Sequence, residues 1–154
     1  MGERRCRYCE KAFQPSKYQP QQVVCGEGSK HTIATTTPQT TSATPGTLYN
    51  FPMWSDGGAN SHTVTATPGT TNYTVTFNVY YELTVAASPA AGGTLIPSLG
   101  GYFLAGSVVG LEAFPKSGYT FKSWTGNVAS TTNKITTITM TAPETVTANF
   151  AKGK

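Results

Sequence analysis

The chain has 154 residues, enough for one ordinary domain or two small ones. Only 12% of its residues are charged, with a net charge of +4, about half the usual ~25% share of charge in globular proteins. No run reaches the ~18 apolar residues that would span a bilayer, and the first thirty residues lack the apolar centre of a secretory signal. Threonine, glycine, serine, asparagine and proline fill the place of charge, a profile common among exported β-proteins.

Charge and cysteine crowd into residues 1–31. Six basic side chains (Arg4, Arg5, Arg7, Lys11, Lys17, Lys30) face three glutamates there, and all three cysteines lie in the same stretch. Cys6, Cys9, Cys25 and His31 follow a Cys-x2-Cys…Cys…His pattern. A Cys-x2-Cys turn presents two thiolates to one ion, and the later pair completes a tetrahedron, so these four residues are the candidate ligands of a zinc ion. So short a segment buries little apolar surface, and the metal would be its core, with Phe13 and Tyr18 covering one side. A basic tail without fixed structure, or one disulfide beside a free thiol, are the alternatives. Basic residues around a zinc knuckle also suit contact with a phosphate backbone, although no recognition helix is evident.

The stretch Arg5-Cys6-Arg7-Tyr8-Cys9, then Phe13-Gln14-Pro15-Ser16-Lys17-Tyr18 and Cys25, resembles the short zinc-ribbon-like knuckles of bacterial proteins. Those knuckles end on a fourth cysteine about five residues after the third, where this chain has Lys30. His31 is the nearest ligand-bearing residue.

Residues 32–47 read as a linker. Eight of the sixteen are threonine, Pro38 and Pro45 interrupt them, and Ile33 is the one sizeable hydrophobe. Such a composition has little to set against the entropy of ordering, which predicts an extended, mobile spacer and a possible carrier of O-linked sugars.

Beyond residue 47 the pattern is that of strands. From Tyr73 to Val85 apolar and polar residues alternate, Tyr80 being the exception, which predicts a strand with one buried face. Ala90-Ala91-Gly92-Gly93 predicts a hairpin turn before Thr94-Leu95-Ile96. Val109, Leu111 and Ala113 point one way, and Gly110 and Glu112 the other. Tyr119 to Trp124 opens the next strand. The double threonine in Ile135-Thr136-Thr137-Ile138 predicts a bulge. Val146, Ala148 and Phe150 close the series, and no stretch holds a helical period.

Two passages recur. Tyr49-Asn50-Phe51-Pro52-Met53-Trp54-Ser55 returns as Tyr119-Thr120-Phe121-Lys122-Ser123-Trp124-Thr125, and Thr71 to Phe77 returns as Glu144 to Phe150. Near-constant spacing of this kind marks tandem modules.

The set Leu83-Thr84-Val85, Pro89-Ala90-Ala91-Gly92-Gly93-Thr94, Ala105-Gly106-Ser107, Ala113-Phe114-Pro115, Gly118-Tyr119-Thr120-Phe121, Trp124-Thr125-Gly126 and Val146-Thr147-Ala148-Asn149-Phe150 resembles the divergent internalin-type B-repeat of bacterial surface proteins. The likeness covers residues 82–150, with a partial copy at 46–77. It implies a small grasp-like β-repeat at 81–151 with a C-terminal half-module at 48–80, within a chain whose alternation reads as all-β and whose knuckle at 1–31 joins through the linker at 32–47. In the half-module, Phe51 and Trp54 would lack covering strands. The implied role is non-enzymatic, as spacer or adhesive repeat on a cell surface or in a secreted protein. Its partners would be other proteins or a second copy through strand edges, with surface glycans also possible. The alternative function is a zinc-dependent interaction or nucleic-acid-binding module whose β-repeats aid assembly, and the alternative location is the cytoplasm.

The residues offer little for catalysis. Asp56 is the only aspartate and sits in a Ser-Asp-Gly-Gly turn that suits capping of backbone amides. His62 alternates beside Val64 on a predicted strand. Trp54 and Trp124 could stack sugars, but equivalent positions in two repeats point to core.

Overall fold

The computed structural model describes residues 6–7, 24–69 and 72–153, with side chains from Gly26 onward. Its strands are β1 (Cys6–Arg7), β2 (Val24–Cys25), β3 (Lys30–Ala34), β4 (Gln39–Thr40), β5 (Thr47–Asn50), β6 (Ser61–Thr65) and β7 (Asn78–Ser88). They continue as β8 (Gly93–Ile96), β9 (Gly101–Leu104), β10 (Val108–Pro115), β11 (Tyr119–Thr125), β12 (Ile135–Thr139) and β13 (Glu144–Lys152). The protein is all-β, as the alternating pattern requires. It forms two compact units, one of residues 1–43 with 49–78, the other of 44–48 with 79–154.

The second unit is two sheets around one core. The order β12-β10-β8 makes a three-stranded antiparallel sheet. Against it lies a sheet in which β13 pairs antiparallel with β11 and parallel with β7, while β9 pairs with β7. Leu95, Val109, Leu111, Ala113 and Ile138 enter the core from the first sheet, and Leu83, Trp124, Val146, Ala148 and Phe150 from the second. Burial alternates along β10 and β13 because successive side chains of a strand point to opposite faces.

Two local expectations are corrected here. Ala90–Gly92 is a single 3-10 turn, not the turn of a hairpin: it carries the chain from β7 in one sheet to β8 in the other. The double threonine makes no bulge, for β12 pairs with β10 in unbroken register from Ile135↔Glu112 to Thr139↔Val108. Thr136 turns inward, 6% exposed, because its hydroxyl accepts the Ser130 N–H at 2.8 Å, and Ile135 is left outside at 66%. The register shift of this unit falls instead between Phe121 and Ser123 in β11.

The first unit overturns the reading of residues 32–47 as a mobile spacer and of 46–77 as a bare half-module. Strand β3 runs from Lys30 to Ala34 and pairs antiparallel with β6, Ile33 opposite His62. Ile33, the one hydrophobe of the threonine-rich stretch, is 2% exposed and packs with Trp54 and Val64, flanked by Phe51, Tyr73 and Val75. Trp54 is therefore covered. The threonines are tied down by their own hydroxyls: Thr37 donates to Asn50 Oδ1 at 2.9 Å and accepts the Phe51 N–H at 3.0 Å. Gln39 donates to Thr35 Oγ1 at 3.0 Å and to Thr36 O at 2.7 Å, so both buried polar groups are satisfied. Composition alone misjudged this segment because one inward isoleucine and a set of local hydrogen bonds suffice to order a short strand.

The two units share one hydrogen-bond frame. Gly28 N–H donates to Ala66 O and Ala66 N–H to Ser29 O, as Gly106 N–H donates to Met140 O and Met140 N–H to Ser107 O. Gly28 and Gly106 take φ of 79° and 80° at equivalent turns, a left-handed conformation that glycine adopts without a Cβ clash. Thr35 N–H to Asn60 O repeats as Ala113 N–H to Lys134 O. Trp54 bridges Val75 as Trp124 pairs with Ala148. Phe51 and Trp54 stand 6.3 Å apart at 56°, and Phe121 and Trp124 5.7 Å apart at 57°. The first copy is thus more than half a module, reaching back at least to Gly26, whose carbonyl accepts Ser29 N–H as Leu104 O accepts Ser107 N–H. In the same register the β1–β2 backbone pair of Cys6 with Cys25 occupies the place of Tyr81 with Phe103.

Candidate functional site

The four residues singled out as zinc ligands fall in different settings. The backbones of Cys6 and Cys25 are directly opposed in the β1–β2 ladder. Cys9, with Phe13 and Tyr18, lies outside the described residues. His31 belongs to β3, opposite Val64, and its Nε2 lies 2.6 Å from Ser29 Oγ. In the repeat frame it takes the position of Val109, which faces the core of the other unit. Among the described residues no three metal-ligating side chains converge.

The most polar cluster with defined geometry is one that the sequence reading treated as structural, at the turn from Trp54 to His62. Asp56 Oδ1 accepts the Gly58 N–H at 3.0 Å, the expected capping of the turn. Its other oxygen, Oδ2, lies 2.9 Å from His62 Nε2. His62 Nδ1 is 2.8 Å from Ala59 O, so both ring nitrogens face acceptors. A neutral imidazole has one N–H and satisfies one of these contacts, whereas the imidazolium donates to both. The Asp56 hydrogen bond accordingly raises the His62 pKa above its ordinary value, and the His62 hydrogen bond lowers that of Asp56. The ring also stands edge-on to Trp54 at 6.2 Å and lies so close to Gly58 that a Cβ there would collide with it. The periodicity around Val64 located His62 on its strand. Its partnership with Asp56 was not legible because a six-residue turn had to close first.

In the second unit the equivalent positions are Gly126 and Thr136, and there is no charged pair. A shallow depression of about 200 Å³ lies beside that turn, lined by Asn127, Val128, Ala129, Thr137, Thr139 and Thr141. This lining has hydroxyls and one amide but no carboxylate, imidazole or thiol. Trp54 and Trp124 are each 3% exposed, with indole N–H groups directed to Asn60 O at 3.4 Å and Asn133 O at 2.9 Å. Both rings are core, so neither offers a stacking face to a sugar.

Residues 83–154 match the family model of the divergent InlB B-repeat domain. These residues are similar to a divergent InlB B-repeat domain. The chain matches none of the curated proteins and none of the solved structures with which it was compared. B-repeat domains are repeat modules typical of bacterial surface proteins. The match begins at β7 and takes in the whole two-sheet core, and the first unit repeats the B-repeat's hydrogen-bond frame outside the matched residues. No described helix is long and apolar enough to cross a membrane.

Proposed function

We propose that this chain is a non-enzymatic structural repeat of a bacterial cell-surface or secreted protein, acting as a spacer and a protein-interaction module. The observation that carries this reading is the double use of one frame: two copies of the same turn, aromatic pair and strand pairing in tandem. Repetition of a unit with a filled core adds length and surface, and it gives each copy the same side-chain-packed interior in place of a reactive cleft. Adhesive contact would be made by strand edges and outward sheet faces. Protease treatment of intact source cells tests the location: the chain should be cleaved while a cytoplasmic marker survives. Full protection until lysis would overturn the surface reading.

A second reading keeps the N-terminal stretch as a zinc-dependent module that contacts nucleic acid through Arg4, Arg5 and Arg7. The backbone opposition of Cys6 and Cys25 favours it, since paired residues of an antiparallel ladder lie about 4.5–5.5 Å apart at Cα, close enough to share one ion. Here Cys6, Cys9, Cys25 and His31 would hold the metal. Metal analysis of the purified chain decides it: about one zinc per chain, lost in a Cys6→Ser/Cys9→Ser variant, supports the knuckle, and none retires it. Salt-dependent retention on DNA that disappears with the zinc would extend it to nucleic acid.

A further inference from the structure

The outward face of the β12-β10-β8 sheet sets exposed hydrophobes among Thr94, Thr137 and Thr139, at positions where the other copy of the frame is polar. Val108, Phe114 and Ile135 are 63%, 40% and 66% exposed on it, and Ile96 is 56% exposed. At the equivalent positions the first unit has Lys30, Thr36 and Ser61, all exposed. Those residues sustain the same turn and the same strand pairing, so the fold does not require hydrophobes there. Gly110, between Val108 and Glu112, adds a second sign. It has no left-handed φ and nothing lies within 4 Å of the Cβ that another residue would carry, so neither backbone nor packing demands glycine. It leaves an open dimple in the face. The first unit has Thr32 in its place.

In the middle of this face stands one charge. Register places Glu112 directly between Ile135 on one side and Ile96 on the other, with Phe114 next along its own strand. Glu112 is only partly exposed and has no ion-pair partner among the described residues. A carboxylate ringed by three hydrophobes favours an incoming cation and disfavours an anion, because a ligand that covers the hydrophobes also strips the carboxylate of water.

We propose that this face is a docking surface for a partner protein segment that lays apolar side chains over Ile96, Phe114 and Ile135 and brings one lysine or arginine to Glu112. A second copy paired about an axis through Glu112 would bring Glu112 against Glu112, and like charge disfavours that arrangement. The proposal rests on the protein-interaction part of the reading above and not on the spacer role or the cellular location, which the protease test addresses separately.

The test uses the full chain, isotope-labelled for NMR, with the peptide Ac-Ile-Ser-Arg-Ser-Ile-NH2 as probe and versions carrying glutamate or glutamine in place of arginine. The arginine peptide should shift the amides of Ile96, Gly110 to Phe114 and Ile135 saturably, with affinity at least roughly fivefold above the glutamate peptide. Glu112→Gln should erase that preference. Ile135→Ser and Phe114→Thr, which install residues of the first unit, should abolish the shifts while the melting temperature holds, so that a loss is not one of folding. Equal response to arginine and glutamate, or no saturable shift up to the peptide's solubility limit, overturns the proposal. So does sedimentation showing that the chain associates with itself through this face in an Ile135-dependent way.

Discussion

The two units build one frame with unequal means. The second fills it with eleven buried residues, aliphatic, aromatic and one methionine, ten of them from two sheets. The first holds the same turn, the same tryptophan position and the same strand pairing with Ile33, Trp54 and Val64 buried among its described residues. In place of the missing hydrophobes it uses hydroxyl and amide bonds from Thr35, Thr37 and Gln39, and an Asp56–His62 pair where its counterpart has none. Among the described residues, backbone pairing, three buried side chains and the flanking Phe51, Tyr73 and Val75 hold this topology. The remaining positions are free to vary, and that freedom is where the units acquired different surfaces.

The largest test of this comparison is in the cores. Leu111→Ala should cost about 2–5 kcal/mol in the second unit, and Ile33→Ala should cost an amount in the same range, about 2–5 kcal/mol, in the first. Hydrogen exchange followed segment by segment separates the two. An Ile33→Ala chain with unchanged protection from 30 to 34 and 61 to 65 would restore these residues to a spacer and break the equivalence. Trp124→Ala should exceed both substitutions, since it removes the indole and leaves Asn133 O without its donor.

A smaller effect belongs to the inward threonine. Thr136→Val keeps the shape but leaves the Ser130 N–H without its acceptor, and should cost about 1–3 kcal/mol, read as a lowered denaturation midpoint. Gly58→Ala is the matching test in the first unit. A methyl group there must push the His62 ring away, so the Asp56–His62 contact should disappear from the imidazole NMR signals.

The pH response sharpens the difference further. His62 has its pKa raised by Asp56, so the stabilisation it brings is fully present below the ordinary histidine value of 6.5 and fades as pH rises through the higher folded value. Asp56 has its pKa lowered by His62, so its share is present above 3.8 and fades as pH falls through the lower folded value. The first unit should thus be steadiest between those limits and loosen on the alkaline side. The pair lies at the surface, with the His62 and Asp56 side chains 18% and 31% exposed, and solvent screening keeps the effect small. Ring-proton titration of His62 gives the direction, and His62→Thr should flatten it. A folded His62 titrating below 6.5 contradicts the geometry.

Much of the second unit was legible because its strands obey a period of two. Val109, Leu111 and Ala113 read as one buried face, and the structure agrees. The turn at Asp56 read as a capping turn, because an aspartate before two glycines has few other uses. The first unit was less legible. Its β3 strand contains one large hydrophobe among threonines, and periodicity has nothing to count in such a stretch. The Asp56–His62 pair and the apolar face around Glu112 were hidden for another reason: both join residues that are neighbours only across a closed turn or across three strands.

By itself, then, the order of residues determined the all-β class, the tandem repetition and which side of β10 faces inward, since all three follow from local alternation and recurrence. Only tertiary structure decided that Ile33 is core, that Thr136 faces inward and Ile135 out, and that Ile96, Glu112 and Ile135 form one row. Those outcomes depend on hydrogen bonds and strand registers between segments distant in sequence, which no local pattern encodes.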